Sequence, residues 1–244
     1  MAKRMTGDYR NKSSHMNDPY LPGDPPIPLI IRRSGRARRI SLRISQLDGR
    51  VTLTLPDRVP EREAIHFAQE KEAWIRKHLA NRTGNVDVGH GVVVPIGGIP
   101  HQVTEGAGRR ISFAQGQVHV PGAVDRVGKR LGAHLKALAR TRLAEASDHY
   151  AERLGKPYAA ITLRDTRSRW GSCTAQGRLM YSWRLILAPP EVLNYVAAHE
   201  VAHLAQMNHS PAFWAEVERI YGDYAAARAW LRREGSSLHR YRFG

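Results

Sequence analysis

The chain has 244 residues, of which 42% are apolar, so it can build a packed interior, and this composition argues against wholesale disorder. Its single cysteine, Cys173, excludes an intrachain disulfide framework and fits a reducing compartment. Lysines and arginines number 38 against 22 acidic residues, and the resulting net charge of +16 favours polyanionic partners such as nucleic acid.

The N-terminal residues 1–26 are polar and end in LPGDPP, a composition that predicts a flexible leader. They lack the apolar core of a secretory signal, and no apolar run in the chain approaches the length of a membrane-spanning helix. We therefore expect a cytoplasmic protein.

Residues 27–122 are expected to form a β-rich region with one helix. The run RRISLRIS alternates apolar and polar side chains, as a half-buried strand does. From Pro60 the pattern changes to a mostly apolar stripe at three- and four-residue steps, which predicts the helix. Short strands separated by glycine return over residues 83–122.

Residues 123–244 are expected to begin with a long helix over about 124–154. A β-meander should follow, with strands in AITLRD, SRWGSCT and RLMYSWRLI. Two prolines then end the sheet and begin a helix, EVLNYVAAHEVAHLAQM, that we expect to run to Met207 before the chain turns. A serine N-cap and a proline predict the start of the next helix, AFWAEVERIYGDY.

The letters HEVAH at residues 199–203 form an HExxH motif within this predicted helix. Two imidazoles four residues apart, His199 and His203, lie on one helical face about 6 Å apart at Cβ and can bind one metal ion. Glu200 lies one step round the helix, where it can reach a metal-bound water. The surrounding residues are apolar, so burying these polar groups without a metal partner would be costly.

A catalytic zinc site needs a third protein ligand and one open position. His209 is the main candidate because it lies six residues after His203, where the chain is predicted to reverse. The spacing equals that of the metzincin motif, but Gln206 holds the place of the expected glycine, which disfavours the metzincin class. Alternative third ligands lie on the following helix, at Glu216, Glu218 and Asp223.

Three stretches carry a family resemblance. They are RSRWGSCTAQGRLMYSWRLILAPPEVLNYVAAHEVAHLAQMNHSPAFW, GDYAAARAWLRR and, more weakly, RARRISLRISQLDGRVTLTLP with EAWIRKHL. These stretches resemble the YgjP-like metallopeptidases, which are related to SprT-like zinc proteases. The resemblance implies an α+β fold in which a zincin-like core, an antiparallel sheet plus the HExxH helix, occupies residues 123–244 after the β-rich region. It implies a catalytic Glu200 and zinc ligation by His199, His203 and His209.

In zincins generally, the substrate backbone pairs with an edge strand beside the active-site helix. The segment RWGS, residues 169–172, is the candidate for that strand, although core packing by Trp170 and a close approach at Gly171 explain it equally well. We interpret Cys173 as an inert strand cysteine, because its neighbours supply neither metal ligands nor a base. The oxyanion-stabilising group is left open among Arg169, Tyr195, Tyr224 and Tyr241.

The sequence therefore predicts a zinc-dependent metallopeptidase that hydrolyses peptide or protein substrates through a Zn²⁺-activated water, with Glu200 as general base. Two alternatives stay open. A DNA-associated protease acting on nucleic-acid-bound proteins is suggested by SprT-like relatives and by the charge of +16, although no recognised DNA-binding motif is present. A non-catalytic basic module with structural zinc would need a closed fourth ligand, and the intact Glu200 argues for catalysis.

Overall fold

The computed structural model describes residues 19–45, 49–80 and 84–244. Contacts divide the chain into two compact units, Met1–Arg82 and Thr83–Gly244. Both units combine strands with helices, so the predicted α+β class is confirmed. In the part of the chain that is described, no helix is long and apolar enough to cross a membrane.

The first unit is a small sheet with two helices. Its elements are β1 (Tyr20–Leu21), β2 (Ile27–Arg33), β3 (Ser41–Ile44), β4 (Val51–Leu55), α1 (Glu61–Glu70) and α2 (Glu72–Ala80). The strand order is β1-β2-β4-β3, with β2 and β4 parallel and the other pairs antiparallel. Of the predicted leader, residues 1–18 lie outside the described residues, whereas Leu21 in β1 is fully buried. The single helix predicted after Pro60 is two helices, because the chain breaks at Lys71.

The second unit begins with short strands, namely β5 (Val86–Asp87), β6 (Val93–Ile96), β7 (Ile99–Glu105), β8 (Ser112–Ala114) and β9 (Gln117–Val120). The last four form a sheet in the order β6-β7-β9-β8. The region predicted as β-rich over 27–122 is therefore divided between the two units.

A long helix, α3 (Val127–Leu154), lies at the centre of the second unit. Its predicted inward face is buried at Leu131, Leu135 and Leu143, which are inaccessible to solvent. The helix ends at Gly155, whose φ of 74° is the left-handed conformation that glycine adopts without strain. The element thus confirms the helix predicted over about 124–154.

A three-stranded sheet after α3 contains β10 (Ala160–Arg164), β11 (Gly171–Cys173) and β12 (Arg178–Ser182). Its order is β10-β12-β11, with β10 parallel and β11 antiparallel to β12. The predicted meander, and with it the fully antiparallel sheet, is therefore wrong. Residues 165–170 connect β10 to β11 across the end of β12. Six residues are enough for this, since the connection spans two strand spacings of about 4.8 Å each. This crossing leaves β11 at the sheet edge.

Three helices and a short C-terminal strand complete the unit: α4 (Pro190–Ala202), α5 (Pro211–Tyr221), α6 (Ala225–Glu234) and β13 (Tyr241–Arg242), which pairs with β5. Between β12 and α4, a 3-10 segment carries Arg184, which is only 8% exposed. Its guanidinium donates to both carboxylate oxygens of Asp165, at 2.6 and 3.0 Å, and to the carbonyls of Leu238 and Tyr241. Arg184 therefore ties the crossing segment to the C-terminal residues.

Candidate metal centre

The three histidines singled out from the sequence converge in the structure. The ring centroids of His199, His203 and His209 lie between 4.9 and 5.1 Å apart. One nitrogen from each ring lies within 4.8 Å of the other two, and the Nε2 atoms of His199 and His209 are 3.1 Å apart. Within residues 19–45, 49–80 and 84–244, no other set of three or more potential metal ligands comes this close together.

The early end of α4 brings His209 into this cluster. The helix stops at Ala202, so the prediction that it would run to Met207 is wrong. Beyond the helix, the Ala205 backbone amide donates to the carbonyl of Ala202, three residues earlier, at 3.0 Å, and the Gln206 carbonyl lies 2.9 Å from Nδ1 of His203. These hydrogen bonds hold a tight turn that returns the chain toward the helix, whereas a longer helix would carry His209 away.

The protonation of the rings suits metal ligation. A carbonyl only accepts hydrogen bonds, so Nδ1 of His203 carries the proton and its Nε2 is the free donor of an electron pair. Burial, together with the smaller effect of the charges of His203, His209 and Arg228, lowers the pKa of His199 to about 3. Burial also lowers the pKa of His203, so both rings are neutral at pH 7, as ligands must be.

The spacing of these nitrogens fits a small tetrahedral cation. Two imidazole nitrogens bound to zinc at about 2.0–2.1 Å are about 3.3 Å apart, close to the 3.1 Å between His199 and His209. The residues present therefore fit a metal ion held by three imidazoles.

A single aromatic ring lies against all three imidazoles. The ring centroid of the fully buried Phe213 lies 4.8 Å from that of His199, 4.4 Å from that of His203 and 4.8 Å from that of His209. Phe213 is held in the first turn of α5, where its amide donates to the Ser210 side chain. The N-cap that the sequence predicted thus also fixes the packing of the cluster.

Glu200 lies beside the cluster on α4, and the edge strand β11 packs against it. The side chain is only 6% exposed, and a Cβ atom on Gly171 would lie 2.5 Å from both its Cγ and its Oε1. Burial raises the pKa of Glu200 to about 8, although the positive charge of Arg169 partly offsets that increase. The absence of a side chain at Gly171 therefore makes the room that Glu200 occupies.

The acidic residues considered as alternative third ligands lie outside the histidine cluster. Glu216 is instead paired with Arg219 at 2.7 Å, and Asp223 accepts a hydrogen bond from the Ala225 amide at the start of α6. Glu218 is likewise not part of the group of converging ligand atoms.

Of the residues proposed to stabilise an oxyanion, Tyr195 lies beside the cluster, with its ring centroid 5.9 Å from that of His199. Burial raises the pKa of Tyr195, so its hydroxyl stays protonated and can donate a hydrogen bond. Tyr224 stacks on Tyr195, whereas Tyr241 belongs to β13. Arg169 is exposed, and its charge acts on Glu200.

Two clefts adjoin the histidine cluster. One, of about 590 Å³, lies against His203 and the turn between β11 and β12. The other, of about 610 Å³, lies against His199 and His209, and we call it the arginine cleft. The residues that line the arginine cleft beside the two histidines are Trp170, Tyr195, Trp214, Arg228, Leu231 and Arg232.

A family model described as the YgjP-like metallopeptidase domain matches residues 38–234. The chain belongs to the YgjP-like metallopeptidase family. It is therefore a metallopeptidase, an enzyme that uses a metal ion to hydrolyse peptide bonds. Among solved structures, it is similar to the metallopeptidase zymogen of Pyrococcus abyssi abylysin, with 22% identity and a TM-score of 0.35 over 41% of this chain and 97% of that one. No curated protein matches the chain.

Sequence reasoning missed Phe213, Trp214 and Arg228 beside the centre of this YgjP-like metallopeptidase. Phe213 and Trp214 follow His209 by four and five residues in the letters HSPAFW, so their closeness along the chain was the available signal. Arg228 carried no comparable signal, because its position depends on how α6 packs against α4. The structure places its guanidinium carbon 4.3 Å from the Trp214 ring centroid.

Proposed function

We propose that this metallopeptidase is a zinc enzyme whose ion is held by His199, His203 and His209. The convergence of three imidazoles carries this proposal, because zinc is bound by imidazole nitrogens and a three-ligand site leaves one position open for catalysis. When bound, the ion would polarise the scissile carbonyl and acidify the attacking water.

Glu200 is the general base in this proposal. Its carboxylate takes a proton from the attacking water and passes it to the leaving amine. Burial raises the pKa of Glu200 above that of an exposed carboxylate, which makes its carboxylate a stronger base toward the attacking water. The missing side chain at Gly171 lets the carboxylate lie directly against β11, beside the edge where a substrate backbone would bind.

The edge strand β11 is suited to hold the substrate backbone. The Trp170 carbonyl accepts from the Ser182 amide at 2.8 Å, and the Thr174 amide donates to the Arg178 carbonyl at 3.1 Å. Since hydrogen-bonded pairs alternate along an antiparallel ladder, the backbone groups of Gly171 and Cys173 point away from β12. No described strand pairs with that edge, so an extended peptide can add to it beside Glu200.

Metal analysis combined with a peptidase assay tests the proposal. Purified protein should contain one zinc ion per chain, and chelation should abolish hydrolysis. Glu200→Gln should retain zinc and lose hydrolysis, whereas His199→Ala and His203→Ala should lose both. His66→Ala, in an exposed position of the first unit, is the matched control and should behave as wild type. Full activity in a His199→Ala or His203→Ala variant would overturn the ligand assignment, and loss of zinc in Glu200→Gln would overturn the role given to Glu200.

A further inference from the structure

The arginine cleft contains two cations without a counter-charge. Arg228 and Arg232 line it, yet no carboxylate among the described residues lies within ion-pair distance of either guanidinium. Neighbouring arginines differ, since Arg219 pairs with Glu216 and Arg233 pairs with Glu234. The residues that line the cleft include no acidic side chain that could supply a partner.

Arg228 is held in place despite having no anionic partner. Its guanidinium stacks on the Trp214 ring with the Cζ atom 4.3 Å from the centroid, and the residue is partly buried. Such stacking occupies one face of the planar group and leaves its N–H edges free to donate. A partly desolvated cation gains most from an anion that enters the cleft, because water no longer fully solvates it.

The Arg228 guanidinium lies close to the metal centre at which the peptide bond would be hydrolysed. The Trp214 centroid is 5.6 Å from that of His199, so the guanidinium carbon of Arg228 is at most about 10 Å from the His199 ring. An extended peptide advances about 3.3 Å per residue. A substrate group held by Arg228 therefore lies within about three residues of the bond at the metal centre.

We propose that the arginine cleft binds a carboxylate of the peptide substrate, through Arg228 assisted by Arg232, and so selects peptides that are acidic close to the cleaved bond. The inference rests on the proposed peptidase function of the adjoining centre. A carboxylate matches the planar fork of a stacked guanidinium, which can donate two parallel hydrogen bonds to it. Walls formed by Trp170, Tyr195 and Leu231 favour a peptide side chain or chain end over a hydrated nucleic-acid backbone.

The carboxylate can come from an Asp or Glu side chain or from the C-terminus of the peptide. A library of peptides of one length, cleaved by the zinc-loaded enzyme and sequenced by mass spectrometry, locates the preferred position. Matched substrates that carry Glu or Gln at that position, each with a free or an amidated C-terminus, then separate the two sources. We expect kcat/KM to be about tenfold or more higher with the carboxylate in place.

Variants of the cleft assign the preference to its residues. Arg228→Gln should abolish the preference for the carboxylate substrate, Arg228→Lys should retain part of it, and Arg228→Glu should shift it toward a substrate with Lys at the same position. Arg233→Gln is the matched control, because Arg233 lies on the same helix, is exposed and pairs with Glu234. It should keep the wild-type preference.

A binding assay keeps the inference separate from the hydrolysis itself. In the Glu200→Gln variant, a change in the intrinsic tryptophan fluorescence, to which Trp170 and Trp214 of the cleft contribute, reports peptide binding. The Glu peptide should bind about tenfold more tightly than the Gln peptide. Adding Arg228→Gln should remove this difference. Equal binding of acidic and neutral peptides, or an unchanged preference in Arg228→Gln, would overturn the inference while leaving peptidase activity intact. Absence of hydrolysis by the zinc-loaded wild type would instead count against the proposed function.

Discussion

Replacement of Gly171 by alanine should disable the enzyme by displacing one carboxylate. The added Cβ would lie 2.5 Å from Cγ and Oε1 of Glu200, whereas non-bonded carbon contacts lie at about 3.5–4.0 Å. Glu200 must therefore move by about 1 Å, and with 6% exposure it cannot relax freely into solvent. A misplacement of about 1 Å can reduce a catalysed rate about 100-fold.

Measurement of kcat/KM and zinc content on the same preparation tests this expectation. Gly171→Ala should retain zinc, because the three histidine rings are not displaced, and should lose about 100-fold in kcat/KM. Gly89→Ala is the matched control, since a Cβ atom at Gly89 would meet no atom within 4 Å and its backbone needs no left-handed conformation. Activity of Gly171→Ala within a few-fold of wild type would refute the placement of Glu200 as base, and loss of zinc would refute the claim that the change acts on Glu200 alone.

Three further predictions concern the surroundings of the centre. Arg184→Ala should lower the free energy of unfolding by about 3 kcal/mol, measured with urea, because Asp165 and two carbonyls lose their donor; an unchanged midpoint would contradict this. Phe213→Ala should lower the free energy of unfolding by about 3–5 kcal/mol and weaken zinc binding about 10-fold or more. Zinc affinity is measured by competition with a chelator, and an unchanged affinity would contradict the role of Phe213 in supporting the three imidazoles. Burial, with the Arg184 charge, lowers the pKa of His239 in the folded protein to about 4, below its ordinary value of 6.5. Stability that is present above pH 6.5 should therefore be lost as the pH falls toward 4. The melting temperature of His239→Gln should fall less over this pH range than that of the wild type.

Local patterns predicted the residues of the centre, whereas residues brought together by packing were missed. His199, His203 and Glu200 share one helical motif, and His209 lies at a chain reversal signalled by the serine and proline that begin α5. These relations depend on nearby residues, so the sequence contains them. Arg228 lies on a different helix and reaches the cleft only because α6 packs against α4, which no local pattern encodes.

The same difference between local patterns and long-range packing explains which parts of the predicted fold were wrong. The three strands β10 to β12 were recognised, but their order depends on the path of residues 165–170. That path is held by Arg184, which also binds carbonyls of the distant C-terminal residues Leu238 and Tyr241. Helix α4 ends early because Ala205 donates to Ala202 in a tighter, three-residue turn and the His203 ring donates to the Gln206 carbonyl. Helix propensity in the run to Met207 predicted the opposite, since it does not account for hydrogen bonds made outside the helix.

The lone thiol of the chain offers an internal reporter. Cys173 lies in β11 and is partly buried, and burial together with the Glu200 charge raises its pKa to about 11. At neutral pH the sulfur therefore stays protonated, reacts slowly with alkylating reagents and does not compete with imidazole for added metal. Its rate of labelling would consequently report changes around β11 and Glu200, such as those caused by a bound peptide, without any engineered probe.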